Sequence, residues 1–240
     1  MVPGSGSTGM EAVARQFATG RKVLVIRNGW FSYRWSQIFE MGAIPAETTV
    51  LKARPTGPGP QAPFAPAPID EVVATIGSTR PDLVFAPHVE TSAGMMLPDD
   101  YLRAVADAVH EHGGLFVLDC VASGAMWVDM AATGVDVLVS APQKGWSSTP
   151  CAGLVMLGER ARAAIEHTTS SSFSREVSPL ARVTARRGTP SALATNAISA
   201  SLALPSTGGA AMRILSAAPC SPATALFFAP GCACTAISQP

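Results

Sequence analysis

The sequence predicts an α/β fold with a mostly parallel sheet flanked by helices. Short apolar runs alternate with amphipathic segments over residues 7–176, and this alternation is typical of parallel sheets that helices cover. A glycine-serine stretch opens the first amphipathic segment, and polar residues follow directly after several apolar runs. Ligands of such sheets bind at the carboxyl ends of the strands, so we expect the functional site at that edge.

Five segments carry the helical spacing of apolar residues, and several begin or end at residues that favour a helix terminus. In chain order they are residues 8–19, 31–41, 69–76, 98–112 and 159–167. The first is expected to have Ser7 or Thr8 as its N-cap. Gly42 is expected to end the second, and Pro98 suits the first turn of the fourth.

Six apolar runs predict buried strands, because each is short and is bounded by Gly, Pro or polar residues. In chain order they are residues 23–26, 48–52, 82–86, 115–119, 135–140 and 153–157. Residues 55–68 are rich in Pro, Gly and Ala, so an irregular surface loop is expected between the second and third strands.

Composition limits the classes of partner. The 240 residues have a formal net charge of zero, which gives no electrostatic footprint for nucleic acid or an anionic membrane. The sequence shows neither a membrane-span pattern nor a signal-peptide pattern at its start, so we expect a cytoplasmic protein. The five cysteines form no CxxC pair, so we expect neither a disulfide framework nor a metal site.

The last quarter of the chain differs in composition from the rest. All seventeen acidic residues lie between Glu11 and Glu176, and the remainder is mainly Ala, Ser, Pro, Thr and Gly. We expect a partial large domain over residues 1–176 and an aberrant or disordered low-complexity tail over residues 177–240. A shifted reading frame and a natural low-complexity tail both account for this composition, and the gene sequence would distinguish them.

Lys144 is the lysine that directly follows a predicted buried strand. It lies in the turn SAPQKGW at residues 140–146. A lysine there is expected to be desolvated, which would lower its pKa and let it act as nucleophile and base. Lys22 and Lys52 are more simply solvated surface lysines. Taken alone, this motif favours an ordinary loop lysine.

Two further features point to the same edge of the sheet. Asp119 ends the strand 115–119, where a carboxylate either faces a ligand in the sheet crevice or caps a helix. Residues 4–8, GSGST, precede the first helix, and glycines with free helix N–H groups suit a phosphate. Such glycine-serine runs also occur as linkers.

Together, HVETSAG at 88–94, LDCVAS at 118–123 and SAPQKGW at 140–146 resemble the class V pyridoxal-phosphate (PLP) aminotransferases, in the alanine–glyoxylate/serine–pyruvate group. The glycine-serine loop and an Asn-Gly-x-aromatic segment match in order and spacing, over about residues 3–175. The resemblance implies a fold type I large domain, PLP as cofactor and a homodimer. It also implies amino transfer from alanine or serine to glyoxylate or pyruvate.

The resemblance implies a role for individual residues as well. Lys144 would form the Schiff base with PLP and move a proton between substrate and cofactor. Asp119 would pair with the pyridine nitrogen, and Val121 would pack under the ring. Phe31 would stack on the ring, or Trp30 would if the register differs by one.

Polar contacts to the cofactor are implied in the same way. Thr91 or Ser92 would hydrogen-bond the ring hydroxyl. The phosphate would be held by Gly6, Ser7 and Thr8, with Gln143 beside them. His88 is interpreted as a structural histidine at a strand end.

Two alternatives stay open. The family pattern includes an arginine that grips the substrate carboxylate, and no arginine of residues 177–240 matches it. The chain could therefore be a catalytically impaired fragment of such an enzyme. A cysteine desulfurase-like or lyase-like PLP enzyme would need a mobile cysteine, and Cys120 and Cys151 are the cysteines nearest the site motifs.

Overall fold

The computed structural model describes residues 1–172, in which the apolar runs form strands. The strands are β1 (Val2–Pro3), β2 (Lys22–Arg27), β3 (Glu47–Lys52), β4 (Arg54–Pro55), β5 (Phe64–Ala65), β6 (Leu83–Pro87), β7 (Val89–Glu90), β8 (Met95–Met96), β9 (Leu115–Asp119), β10 (Val137–Ser140) and β11 (Ala152–Leu157). The helices are α1 (Gly6–Phe17), α2 (Trp30–Gly42), α3 (Ile69–Thr79), α4 (Asp99–His110), α5 (Met130–Thr133) and α6 (Glu159–Ile165).

Seven of these strands form one sheet, in the order β1-β11-β10-β9-β6-β2-β3. The five strands from β10 to β3 in this order are parallel to one another. Strand β11 runs antiparallel to β10, and β1 runs antiparallel to β11. Strands β4 and β5 form one small antiparallel pair, and β7 and β8 form another. The α/β fold with a mostly parallel sheet is therefore confirmed.

Helices cover both faces of the sheet because alternate strand residues point to opposite faces. On one face, Leu24 and Ile26 of β2 pack in the cluster that holds the apolar side chains of α3 and α4. On the other face, Val23 and Val25 pack in the cluster that holds those of α1, α2 and α6. Trp35 of α2 is fully buried in this second cluster. The two cores leave the carboxyl edge of the parallel strands free to form a site.

Several helix ends differ from the expectation, and at the start of α4 Pro98 is the N-cap and not a residue of the first turn. The N-cap of α1 is Ser5, not Ser7 or Thr8, and the Thr8 hydroxyl accepts a hydrogen bond from the Ser5 N–H at 3.2 Å. Gly42 remains inside α2, and Ala43 after it takes the left-handed conformation with φ of 45°. The sequence offered several adjacent capping residues, and the packing of each helix on the sheet selects among them.

All predicted helices and strands form, whereas four short features were not predicted. These are β1, the pairs β4–β5 and β7–β8, and helix α5. Two-residue strands carry no periodicity that a sequence can reveal. The prediction for residues 177–240 lies outside the described residues. Within residues 1–172, none of the helices combines the length and apolar character needed to cross a bilayer.

Candidate functional site

A cavity of about 470 Å³ lies beside the carboxyl ends of the central strands, at the predicted edge. Its volume falls within the range of small-molecule sites. The lining residues come from the starts of α1 and α2, from β7 and the turn after it, from the end of β9 and from the turn after β10. They are Ser5, Gly6, Ser7, Met10, Phe31, Arg34, Val89, Thr91, Asp119, Val121, Ala122, Gln143, Lys144 and Gly145.

The start of α1 forms one wall of this cavity. The first N–H groups of a helix have no partner within the helix, and the helix dipole favours an anion beside them. Gly6 packs closely here, because a Cβ on it would lie 2.8 Å from Val121 Cγ2. The Gly4 N–H donates to the Cys151 carbonyl at 3.0 Å, which ties this start to the end of the lysine loop. The wall is therefore a compact site for a phosphate or a carboxylate.

Asp119 supplies a buried acid at the end of β9. Its side-chain oxygen accepts a hydrogen bond from the Val121 N–H at 2.9 Å. Burial raises the pKa of Asp119 to about 6; the Glu90 charge adds to this, while the Val121 N–H and the Arg34 charge act in the opposite direction. A buried acid with a raised pKa in a cavity is typical of a functional site.

Lys144 lies in the turn after β10 and lines the same cavity. The Trp146 indole N–H donates to the Gly124 carbonyl at 2.7 Å and so fixes this turn against the loop after β9. The expectation that Lys144 would be desolvated is wrong, because the residue is exposed although it lines the cavity. Its neighbour Gln143 has a buried Oε1 without a hydrogen-bond partner in the described part of the chain.

The structure decides which residue of two predicted pairs, Phe31 or Trp30 and Thr91 or Ser92, lines the cavity. Phe31 lines the cavity, whereas Trp30 is 63% exposed and does not. Thr91 lines the cavity, whereas Ser92 does not. The Ser92 hydroxyl instead accepts a hydrogen bond from the Trp30 N–H at 2.9 Å and donates to Glu90.

Thr8 is the other predicted phosphate residue that does not line the cavity. Its hydroxyl accepts a hydrogen bond from the Ser5 N–H, because Ser5 and not Thr8 is the N-cap of α1. The predicted residues Lys144, Asp119, Val121, Gly6, Ser7, Phe31, Thr91 and Gln143 line one cavity, and Thr8 and Ser92 lie outside the lining.

Two charged residues in or next to the cavity lining were not predicted from the sequence, besides the uncharged lining residues Met10, Val89, Ala122 and Gly145. Arg34 lines the cavity, and its guanidinium donates to the Ser7 hydroxyl at 2.6 Å. Its position three residues after Phe31 on one helix face could have indicated it. Glu90 is 1% exposed and binds the start of α2. The sequence gives no signal for this contact, since it joins residues 59 positions apart.

The remaining candidate side chains lie outside the cavity lining. His88 is buried, its Nδ1 shares a hydrogen bond with the Ser123 hydroxyl at 2.8 Å, and burial lowers its pKa. Burial raises the pKa of Cys120 to about 12, which keeps it a neutral thiol and a poor nucleophile. Cys151 is exposed but is not part of the lining. Neither cysteine therefore lines the cavity that holds Lys144.

Comparison with known families identifies this arrangement. The sequence model of the family described as Aminotransferase class-V matches residues 10–216. The chain belongs to the class-V aminotransferase family. The match runs past residue 176, into the segment that composition sets apart. It confirms the resemblance found in the sequence motifs, and with it PLP as the family's cofactor.

Individual class-V relatives carry amino-transfer names. The chain is 29% identical to an L-aspartate–glyoxylate aminotransferase of Paracoccus denitrificans over 192 residues, which cover 79% of this chain and 46% of that protein. It is 31% identical to a serine–glyoxylate aminotransferase of Hyphomicrobium methylovorum over 162 residues, which cover 66% of this chain and 38% of that protein. The chain thus spans less than half the length of these curated relatives.

A solved structure of a class-V enzyme shares the fold. The alanine–glyoxylate aminotransferase of a Nostoc species matches with a TM-score of 0.60 and 25% identity, over 73% of this chain and 45% of that one. The described domain is therefore a PLP-dependent transferase domain of the fold type I class.

The residues of the cavity fit PLP. The start of α1 offers N–H groups and hydroxyls to a phosphate, and a buried acid offers a partner to the pyridine nitrogen. The side chain of Gln143, whose Oε1 lacks a partner in residues 1–172, can turn its NH₂ to an anion. Lys144 supplies a primary amine to the lining of the same cavity.

Replacing Gly6 with alanine is expected to weaken PLP binding about tenfold and to destabilise the fold by about 1–3 kcal/mol, because the new methyl group overlaps Val121. Absorbance titration with PLP and urea unfolding measure the two effects. Gly77→Ala is the matched control, since its Cβ would meet nothing within 4 Å and alanine favours the helix. Equal binding by the Gly6 and Gly77 variants would contradict the close packing of α1 on Val121.

Proposed function

We propose that this chain is the cofactor-binding part of a PLP-dependent transaminase. It would move an amino group from a small amino acid, alanine or serine, to a 2-oxo acid such as glyoxylate or pyruvate. The observation that carries the proposal is the convergence of Lys144, Asp119 and the start of α1 on one cavity. The names of the relatives support amino transfer to glyoxylate as the reaction type.

When bound, PLP supplies an electron sink that makes the substrate Cα–H bond acidic. Lys144 is the residue we propose to hold it covalently through its side-chain amine. Lys144 would also act as the base that takes the proton from the substrate Cα and, in its protonated form, as the acid that delivers it to the C4′ carbon of the cofactor. Lys144 lines the cavity and is exposed, which keeps its amine accessible to substrate.

Asp119 is proposed to pair with the pyridine nitrogen and keep it protonated. A carboxylate that burial penalises gains most from a positive partner, because the low local dielectric strengthens the pair. Val121 and Phe31 would form apolar contacts with the ring, since both line the cavity. Thr91 would hydrogen-bond the ring hydroxyl, because Ser92 is already engaged with Glu90.

The phosphate is proposed to lie at the start of α1, held by Gly6, Ser7 and Gln143. Arg34 would add a positive charge, because its guanidinium lies 2.6 Å from the Ser7 hydroxyl and lines the cavity. Its charge also acts on Asp119. Arg34 would thus offset both the negative charge of the phosphate and that of Asp119.

A half-reaction tests the proposed chemistry. The full chain is loaded with PLP and mixed with L-alanine or L-serine without a 2-oxo acid. Amino transfer converts bound aldehyde to bound amine, so the visible absorbance should fall as a near-ultraviolet band rises, with one equivalent of 2-oxo acid released. Adding glyoxylate should reverse the change. Bound PLP that no small amino acid converts would contradict the proposal.

A further inference from the structure

Glu90 is a buried carboxylate that lies behind the cavity wall and not in it. It is 1% exposed and ends β7. Its Oε1 accepts a hydrogen bond from the Phe31 N–H at 3.1 Å. Its Oε2 accepts one from the Ser32 N–H at 2.9 Å and another from the Ser32 hydroxyl at 2.7 Å. An anion therefore lies at the start of α2, where the helix dipole favours it.

Ser92 extends this contact by one residue. Its hydroxyl donates to Glu90 Oε1 at 2.5 Å and accepts from the Trp30 N–H at 2.9 Å. Glu90 and Ser92 together satisfy three successive N–H groups of the first turn of α2. These groups would otherwise lack a partner within the helix.

The network holds the carboxylate in its charged form. Burial alone would raise the pKa of Glu90, but the hydrogen bonds from Ser92, Ser32 and Phe31 outweigh it and lower the pKa below its usual value. A charged acceptor strengthens each of these hydrogen bonds. The start of α2 is thus held more firmly than neutral capping would hold it.

The packing at this point is also close. A Cβ on Gly29 would overlap Ser92 Oγ and would lie 2.8 Å from Glu90 Cδ. The backbone before α2 therefore rests directly on the Glu90 side chain. Phe31, whose N–H is bound to Glu90, is the residue of this first turn that lines the cavity.

We propose that Glu90 is a positioning residue of the cofactor site, whose charged side chain fixes the first turn of α2 and so holds Phe31 against the bound PLP ring. This inference rests on the proposed function. It assigns Glu90 no contact with substrate or cofactor, since Glu90 does not line the cavity.

The test is a double-mutant cycle on the full chain with PLP as the probe. Four variants are compared with the wild type: Glu90→Gln, Phe31→Ala, the two combined, and Glu40→Gln as an exposed carboxylate control on the same helix. Absorbance titration gives the Kd for PLP, and circular dichroism in the absorbance band of bound PLP reports how the ring is held. Thermal unfolding of the cofactor-free chains measures stability separately.

Glu90→Gln is expected to raise the Kd about tenfold and to reduce the dichroism at saturating PLP, because the amide accepts fewer and weaker hydrogen bonds. Glu40→Gln should match the wild type. In the Phe31→Ala background the Glu90 change should add less than about threefold, since interacting residues are not additive. Independent effects that multiply in the double variant would overturn the inference, as would an unchanged Kd for Glu90→Gln.

Ser92→Ala provides a second variant if Glu90→Gln does not fold. It keeps the carboxylate and removes the hydroxyl between Trp30 and Glu90, so a smaller rise in Kd, about threefold, is expected with the same loss of dichroism. Unchanged values for Ser92→Ala would overturn the inference. A wild-type chain that binds no PLP would instead overturn the proposed function, and this inference with it.

Discussion

Replacing Lys144 with alanine is expected to abolish the retention of PLP through gel filtration and to lower amino transfer by about 10²–10⁴-fold. The loss of a positioned general base alone accounts for a reduction of that size. Lys144 is the lysine that lines the cavity, so no other described lysine can replace it. The absorbance of bound PLP after desalting and the rate of 2-oxo acid formation from alanine measure the two effects.

Lys52→Ala is the matched control for this prediction. Lys52 ends β3, at the far end of the sheet order from β10, and its side chain is exposed. The Lys52 variant should retain PLP and transfer amino groups at the wild-type rate. Retained PLP and undiminished transfer in the Lys144 variant would show that the lysine turn is not the attachment point.

Replacing Asp119 with asparagine is expected to have opposite effects on stability and on cofactor binding. Burial raises the pKa of Asp119 from 3.8 to about 6, so between these values the folded chain holds this proton more tightly than the unfolded chain. The free energy of unfolding of the cofactor-free chain therefore falls as pH rises from about 4 to about 6. Above this range it stays lower by the full cost of burying the charged carboxylate. The neutral amide of the Asp119→Asn variant would carry no such penalty.

Cofactor-free Asp119→Asn should thus be more stable than the wild type at pH 8, by up to about 3 kcal/mol for a shift of about two pKa units. The advantage should shrink as pH falls towards 4. At pH 8 the same change should raise the Kd for PLP about tenfold to 100-fold, because a charged hydrogen bond to the ring nitrogen is lost.

Urea unfolding at pH 5 and pH 8 and absorbance titration with PLP measure these effects, with Asp107→Asn as an exposed control on α4. A variant that binds PLP as tightly as the wild type would remove Asp119 from the site. A variant that gains no stability at pH 8 would show that burial does not penalise this carboxylate.

Much of the fold could be predicted because apolar residues recur at a different spacing in its strands than in its helices. Strand β9 forms over Leu115–Asp119, the predicted range, since its apolar run follows Gly114 and ends in the acidic residue Asp119. The antiparallel direction of β11 was not predicted, because an apolar run carries no information on direction. Strand β1 depends on pairing with β11 and has no pattern of its own.

The sequence motifs predicted those residues of the candidate site that lie within the motifs. Asp119 ends β9 and Lys144 follows β10, and parallel strands bring such residues to one edge. The choice of Thr91 over Ser92 could not be predicted, because the Ser92 hydroxyl accepts a hydrogen bond from the Trp30 N–H, a contact that forms only when β7 packs beside α2. The exposure of Lys144 likewise depends on which residues surround its turn in three dimensions.

Borohydride reduction followed by peptide mass mapping tests most directly whether Lys144 lies where it can attach PLP. The full chain is mixed with PLP, reduced and digested, and its three lysines, Lys22, Lys52 and Lys144, are compared. We predict one phosphopyridoxyl group, on Lys144. No adduct, or an adduct spread over Lys22 and Lys52, would contradict the assignment of this cavity as the cofactor site.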